Sequence, residues 1–271
     1  MNWLLRIIKD LTKKNNKHCV SLHDFVKDLV NIMSFNIERD KPEKNDWPIR
    51  REKIIDFILN ETPGILCIQE AMPHQYKYLS ERLHNYNSFY RDVFTKGPKG
   101  AVVTEGLSIF YAKDKYYSME EGVISLSDKF GFKNENWRIC QWIKLGTKRD
   151  FSNPNYIYEE VYIFNTHLDH KSKEARRIGI QKILNFIKNI KETDAHYLPT
   201  KTKFFICGDF NAQIMDEEMA ELRTWNTNHV SDGTMVNRKI CIDYIFTDAN
   251  CEYNCIREIM SDHYPITAKC K

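Results

Sequence analysis

The sequence has no uninterrupted apolar run of the roughly twenty residues that a membrane-spanning helix needs. Its first residues are broken by Arg6, Lys9 and Asp10, and no small-residue cleavage site follows, so no secretory leader is expected. An excess of one charge is also missing. Forty Lys and Arg against 37 Asp and Glu leave a formal +3, too little to argue for a nucleic-acid partner but compatible with an anionic substrate at a local patch. Eight cysteines are present without a metal-ligand pattern. Cys251 and Cys255 are spaced C-x-x-x-C, with no second Cys or His pair at zinc spacing. Cys67 and Cys207 sit inside apolar runs, where a thiol behaves as a small hydrophobe. Reduced, mostly buried thiols are expected, and with them a cytoplasmic, reducing setting. Internal repeats, low-complexity tracts and a linker dividing two cores are absent as well. The 271 residues are therefore read as one monomeric domain over 29–271 behind an N-terminal segment, 1–28.

That N-terminal segment is amphipathic: Trp3, Leu4, Ile7, Ile8 and Leu11 share one helical face, and Arg6, Lys9, Lys13 and Lys14 lie mostly on the other. The pattern suits a helix packed on the body of the domain and allows a peripheral membrane contact. Lys13 to Lys17 reads as a linker.

Beyond it, strands and helices alternate. Leu29–Ile37, Ile65–Ile68, Val161–His167 and Phe204–Asn211 read as buried strands, each delivering polar residues at its end. Helical spacing marks Pro48–Asn60, with Asp46 and Pro48 as start signals, Pro73–Leu83, and a long helix capped by Ser172. Glu217–Trp225 is a weaker helical stretch. Leu107–Tyr111, Gly122–Leu126 and Trp137–Leu145 read as strands without helices between them, hence antiparallel. Cys241–Thr247 and Ile266–Lys269 complete the set, while Phe94–Gly106 and Gly146–Asn155 read as surface loops.

The stretch Lys203–Asn211 carries the most chemistry. An apolar run stops at Gly208-Asp209, and Asn211 follows; at the C-terminal end of a strand in a layered α/β fold this is where reacting groups collect. Alone, Gly-Asp-x-Asn is equally ordinary turn chemistry. The weight comes from repetition. Asn36, Glu70, His167 and Asp209 with Asn211 all end buried strands, Asp243 lies inside one, and Asp262-His263 precedes one. Buried strands do not tolerate unpaired carboxylates, so neighbouring strands would bring these ends to one pocket.

In order, Ser34-Phe35-Asn36-Ile37, Gln69-Glu70, Asn165-Thr166-His167-Leu168, Gly208-Asp209-Phe210-Asn211, Ile242-Asp243-Tyr244-Ile245 and Ser261-Asp262-His263-Tyr264-Pro265 form a set. This set resembles the endonuclease/exonuclease/phosphatase superfamily, metal-dependent phosphoesterases that include the DNase I-like nucleases. The resemblance runs from about Ile32 to Lys269. It implies a four-layered α/β sandwich, two mixed β-sheets packed face to face with helices outside, together with Mg²⁺ or Mn²⁺ and phosphoester hydrolysis.

It also implies roles. Glu70 is the metal ligand, since a hard cation of this kind takes one or two carboxylates. Asn36 bonds the metal's water shell or a phosphate oxygen, Asp262 faces the metal site, and Glu38 is a candidate second ligand. Asp209 aligns or deprotonates the attacking water, and Asn211 fixes its carboxylate or meets the phosphate. His263, oriented by Asp243, stabilises phosphoryl charge or takes the water's proton. His167 donates to a phosphate oxygen, and Arg138 supplies a guanidinium fork. Asp169, His170 and Arg177 follow in a family-like run, Arg177 being equally suited to a structural ion pair.

The favoured substrate is nucleic acid. The alternatives are a phosphatase or phosphodiesterase on inositol phosphates, phospholipids or small phosphoesters, and a catalytically silent binding module on the same fold. Lys96, Lys99 and Lys115, near Tyr111, Tyr116 and Tyr117, are the candidate basic and aromatic surface for a polymer.

Overall fold

A computed structural model describes residues 30–44, 46–96, 102–127, 137–148 and 158–270. The expected N-terminal helix and linker lie outside the described residues. In chain order the elements are β1 (Val30–Asn36), α1 (Trp47–Glu61), β2 (Ile65–Ala71), α2 (Pro73–Arg82), β3 (Tyr86–Lys96), β4 (Val102–Ala112), β5 (Tyr116–Ser125), β6 (Ile139–Thr147), β7 (Glu160–His167), α3 (Lys173–Thr193), β8 (Thr202–Asp209), a 3₁₀ helix (Glu217–Thr224), β9 (Asp243–Thr247), β10 (Cys251–Cys255) and β11 (Ile266–Cys270).

Two mixed sheets result, ordered β10-β11-β1-β2-β4-β3 and β5-β6-β7-β8-β9. Within them β1–β2 and β7–β8 run parallel, and the other pairs run antiparallel. The inner faces meet in a dry layer that includes Ile32, Cys67, Ile109, Ile163, Cys207 and Ile266. Helices α1 and α2 cover the outside of the first sheet through Ile54, Ile58 and Leu79. Helix α3 and the 3₁₀ helix cover the second through Ile180, Ile183, Ile187, Met219 and Leu222. Every residue of β7 is buried, as a central strand sandwiched between helix and sheet must be. This is the expected four-layered sandwich. No described helix is long and apolar enough to cross a membrane.

Parallel pairing positions the site. Asn36 lies opposite Gln69, and His167 lies opposite Asp209. Antiparallel β9 then sets Asp243 beside Asp209. The strand ends therefore open on one edge of the sandwich. Beneath them the two sheets are pinned by a buried polar lock. Gln69 Nε2 donates to Asn165 Oδ1 at 2.7 Å, and Asn165 Nδ2 donates to the carbonyls of Ile68 (3.0 Å) and Ser108 (3.1 Å). Such bonds gain strength away from water and hold β2 and β7 in one alignment.

Several expectations need correction. Most of Phe94–Gly106 is not loop: β3 and β4 are eleven residues each and pair along their length, from Tyr86↔Ala112 to Lys96↔Val102. Strand β6 likewise continues through Gly146 to Thr147. Asp46 stands at the N-cap of α1, but its side chain makes no capping bond. Ser172 caps α3 as expected, its Oγ accepting from Ala175 N at 3.1 Å. The thiols are not all reduced. Antiparallel β10 and β11 set Cys251 opposite Cys270, and the two form a disulfide, a pairing invisible from spacing along the chain. Cysteine usage then no longer argues for a reducing compartment. Finally, Lys115 with Tyr111, Tyr116 and Tyr117 sits at the wrong end. Tyr111 pairs with Ile65 at the start of β2, a strand's length from Glu70.

Candidate active site

Asp209 is the hub. Its carboxylate is 2 % exposed and receives Asn36 Nδ2 at 3.1 Å and Asn211 N at 2.9 Å. His167 Nε2 stands 3.6 Å from its Oδ2, and His263 Nε2 stands 3.8 Å from the same atom. Burial, then the negative charge of Asp243, pushes the Asp209 carboxyl up to about 7.

Glu70 reaches this hub through an unusual backbone. A bulge between Ile68 and Ala71 and a φ of 63° break the alternation of β2. A carboxylate in the left-handed region is a local strain that the surrounding bonds must hold. Asn36 Nδ2 donates to Glu70 Oε1 at 3.1 Å and Arg39 N to Oε2 at 3.2 Å. Burial opposes ionisation of Glu70. The field of His167, then the bonds from Asn36 and Arg39, outweigh it and hold the carboxylate below its usual range. His167 is itself pushed well below the usual imidazole range, by burial first and the Arg138 charge second. The Glu70 anion is thus secured chiefly by its hydrogen bonds.

Asn36 is oriented by its partners. Its Oδ1 accepts from Glu38 N at 3.0 Å, which turns its amide nitrogen toward the two carboxylates. Glu38 directs its own carboxylate at Lys41, 2.8 Å away. Asp262 is exposed on the rim and accepts from Ser261 Oγ at 3.3 Å.

On the other side stands a carboxylate–imidazole pair. His263 Nδ1 lies 2.9 Å from Asp243 Oδ2, and Thr234 Oγ1 donates to that same oxygen at 2.5 Å. Burial lowers the affinity of His263 for its proton, but Asp243 overrides it and raises the imidazole to about 10.

Three contributors lie outside every sequence motif, and a fourth, Ser261, lies in one without a role assigned to it. Thr234 is a lone buried Thr after Gly233, with no motif to mark it. Glu105, 4 % exposed, takes Arg39 Nη1 at 3.3 Å and Arg138 Nη1 at 3.5 Å. Ser261 Oγ donates to Asn36 O at 2.7 Å, tying the His263 loop to β1. Arg50 on α1 clamps the same two segments, donating to Ile37 O (2.7 Å), Met260 O (2.8 Å) and Glu38 O (3.1 Å).

The Thr-His-Leu-Asp-His run divides between site and scaffold. Asp169 is buried, and its Oδ1 accepts from Lys171 N and Ser172 N on the way into α3. His170 is exposed. Arg177 forms an exposed ion pair with Glu174. Its neighbour Arg176 is the buried one, donating from Nε to Glu218 at 2.8 Å and from Nη1 to Asp169 O at 2.9 Å. Arg176→Ala leaves the Glu218 charge buried and unpaired. It is expected to lower stability in urea unfolding by about 3–5 kcal/mol, whereas Arg177→Ala barely moves the midpoint. Equal effects would reverse this division.

A divalent cation fits the donor set. Glu70, His167 and Asp209 each offer a ligand atom within 4.8 Å of the others, as do Asp209, Asp243 and His263. Two carboxylates among three donors suit a hard ion. The cluster also holds more negative charge than it neutralises. Glu105 is pushed up by burial and by Glu70, and Asp209 by burial and by Asp243.

Comparison with known proteins agrees with this geometry. A model of the "Endonuclease/Exonuclease/phosphatase family" matches residues 33–263. The Ccr4 subunit of the CCR4-Not complex of Kluyveromyces lactis, named a 3'-5'-exoribonuclease, is 24% identical over 208 residues, which is 68% of this chain and 25% of that protein. The chain thus spans about a quarter of that relative's length. Among solved structures, the mannosyl-6-phosphatase Bt3783 of Bacteroides thetaiotaomicron superposes with a TM-score of 0.71 at 21% identity, covering 88% of this chain and 98% of its own. The human Nocturnin catalytic domain with bound sulfate gives 0.67 at 19% identity, covering 90% and 94%. With the family matched over residues 33–263 and the strand-end carboxylates and imidazoles clustered together, the chain belongs to the endonuclease/exonuclease/phosphatase family, whose members hydrolyse phosphoesters.

Proposed function

We propose that this protein is a divalent-metal-dependent nuclease that hydrolyses phosphodiester bonds by in-line attack of one water. The observation that carries the reading is Asp209, buried yet aimed between two imidazoles and held by the Asn36 amide and the Asn211 backbone N–H. Its Oδ2, 3.6 Å from His167 Nε2 and 3.8 Å from His263 Nε2, is placed to orient a water between them. Glu70 and Asp209 would hold Mg²⁺ or Mn²⁺, with Asn36 fixing both carboxylates and His167 beside them. The bound ion supplies neutralisation of the phosphoryl and leaving oxygens.

This chain's own groups do the rest. Asp209 orients the water opposite the leaving oxygen. His263, kept protonated by Asp243, donates to the phosphoryl oxygens as their charge builds. Neutral His167 adds a second donor, and its Nδ1 has no partner. Arg138, buried against Glu105, stands ready as a charged fork for phosphate.

Nucleic acid is favoured because the Ccr4 relative is named an exoribonuclease. A phosphatase acting on a small phosphoester is the second reading, since the mannosyl-6-phosphatase shares the fold closely. An activity panel with Mg²⁺ decides between them. It compares single-stranded RNA, single- and double-stranded DNA, phosphoinositides and mannose 6-phosphate. The reading expects a single-stranded nucleic acid to be turned over fastest. Turnover confined to a small phosphoester would overturn it.

A further inference from the structure

One surface feature beside the site has no part in the chemistry above. The Phe94 ring lies against Trp137, centroids 6.0 Å apart and planes 12° from parallel, and Phe94 is 42 % exposed. Such a ring is normally withdrawn from water. Here it is held out by a firm base: Trp137 packs on Val93, Leu107 and Ile139, all buried. The β3–β4 register sets Phe94 opposite Thr104, next to Glu105.

The pair is joined to the site by covalent continuity. Trp137 directly precedes Arg138, which is buried and whose Nη1 pairs with Glu105. The Arg138 Nε is buried without a partner. The same Glu105 holds Arg39, whose backbone N–H bonds Glu70. Four contacts and the Trp137–Arg138 peptide link thus run from the candidate metal ligand to the exposed ring.

We propose that Phe94 and Trp137 form a base-stacking subsite for the nucleotide adjoining the scissile phosphate, with Arg138 holding the phosphate between them. The proposal rests on the nuclease reading and adds to it a determinant of specificity. The chemistry matches on both parts. A nucleobase presents a flat π-face to an exposed aromatic ring, and any base can do so, giving affinity without sequence choice. A guanidinium with an unused donor meets the neighbouring phosphate oxygen. A lipid tail would need a broad apolar surface, whereas this one is the width of a ring pair flanked by a cation.

The test uses the full chain and two oligonucleotides, one normal and one with an abasic site next to the cleaved bond. The wild type is expected to cleave the normal strand with about tenfold or higher kcat/KM. Phe94→Ala loses that preference, with the change in KM, and Phe94→Tyr keeps it. Where Phe94→Ala does not fold by its circular-dichroism melt, Phe94→Leu, apolar but without a π-face, makes the same comparison. A preference untouched by losing the ring overturns the subsite while leaving the nuclease reading in place. Cleavage of mannose 6-phosphate but of neither oligonucleotide overturns both.

Discussion

Asp209→Ala is expected to remove roughly 10²–10⁴-fold of turnover while the protein still folds. The loss follows from position. Among the described residues Asp209 is the one carboxylate within 4 Å of both imidazoles, which leaves no described neighbour to align the water in its place. Folding survives for an electrostatic reason. The carboxyl is buried beside Asp243 and already pushed up to about 7, so its removal relieves repulsion as well as breaking bonds. Asn36 keeps Glu70 as a partner. The check pairs kcat/KM with a thermal melt of the same preparation. Wild-type turnover would remove Asp209 from its role. A collapsed melting temperature would make it a structural residue, and Asp209→Asn, which keeps the volume and the polar contacts, then separates the two effects.

Gly208→Ala is expected to act one step earlier, on the fold that holds the site. Gly208 has a φ of 142°, a region open to glycine and closed to other residues. A Cβ there would sit 1.9 Å from the carbonyl oxygen of Thr166 on neighbouring β7. That oxygen cannot step aside without breaking the parallel ladder that sets His167 against Asp209. Clash and backbone strain together place the variant beyond the about 4–5 kcal/mol that marks an exceptional substitution. Insoluble protein, or a large fall in the urea midpoint with activity lost in any folded fraction, is the expected result. A variant near wild type in both would mean that β7 and β8 are not locked as described.

How much was legible beforehand depended on the physics of each element. Strands β1, β2, β7 and β8 could be read because they are buried on both faces and stop abruptly at polar residues. Strand β3 could not. It lies at a sheet edge, and its sequence mixes Arg91 and Asp92 with Phe89 and Val93, which blurs a strand into a loop. Strand β10, five residues at the opposite edge, was lost for the same reason. The motif residues Asn36, Glu70, His167, Asp209, Asn211, Asp243 and His263 were named before any geometry, and the structure brings them together around Asp209. Thr234, Glu105 and Arg50 were not named and Ser261 was given no role, because all four act through contacts that the order of residues does not show. Misplacing Lys115 had the same origin: nearness to tyrosines along the chain says nothing about which end of a strand they occupy.

The supports also explain why the site can exist at all. Glu70 holds a left-handed conformation, as do Glu38 (φ 55°) and Asn211 (φ 51°). Strain of this kind persists only where neighbours over-determine it. The Arg50 clamp, the Ser261 tie and the lock between Gln69 and Asn165 provide that constraint.

The central claim is that a solvent water, aligned by Asp209, displaces the leaving oxygen in a single step. The stereochemistry at phosphorus tests it most directly. An oligonucleotide with one phosphorothioate of known configuration is cleaved in ¹⁸O-labelled water, and the configuration of the product is determined. Inversion is the predicted result, since one in-line displacement turns the phosphorus over once. Retention would require two displacements through a covalent enzyme intermediate, and would contradict the role given to Asp209.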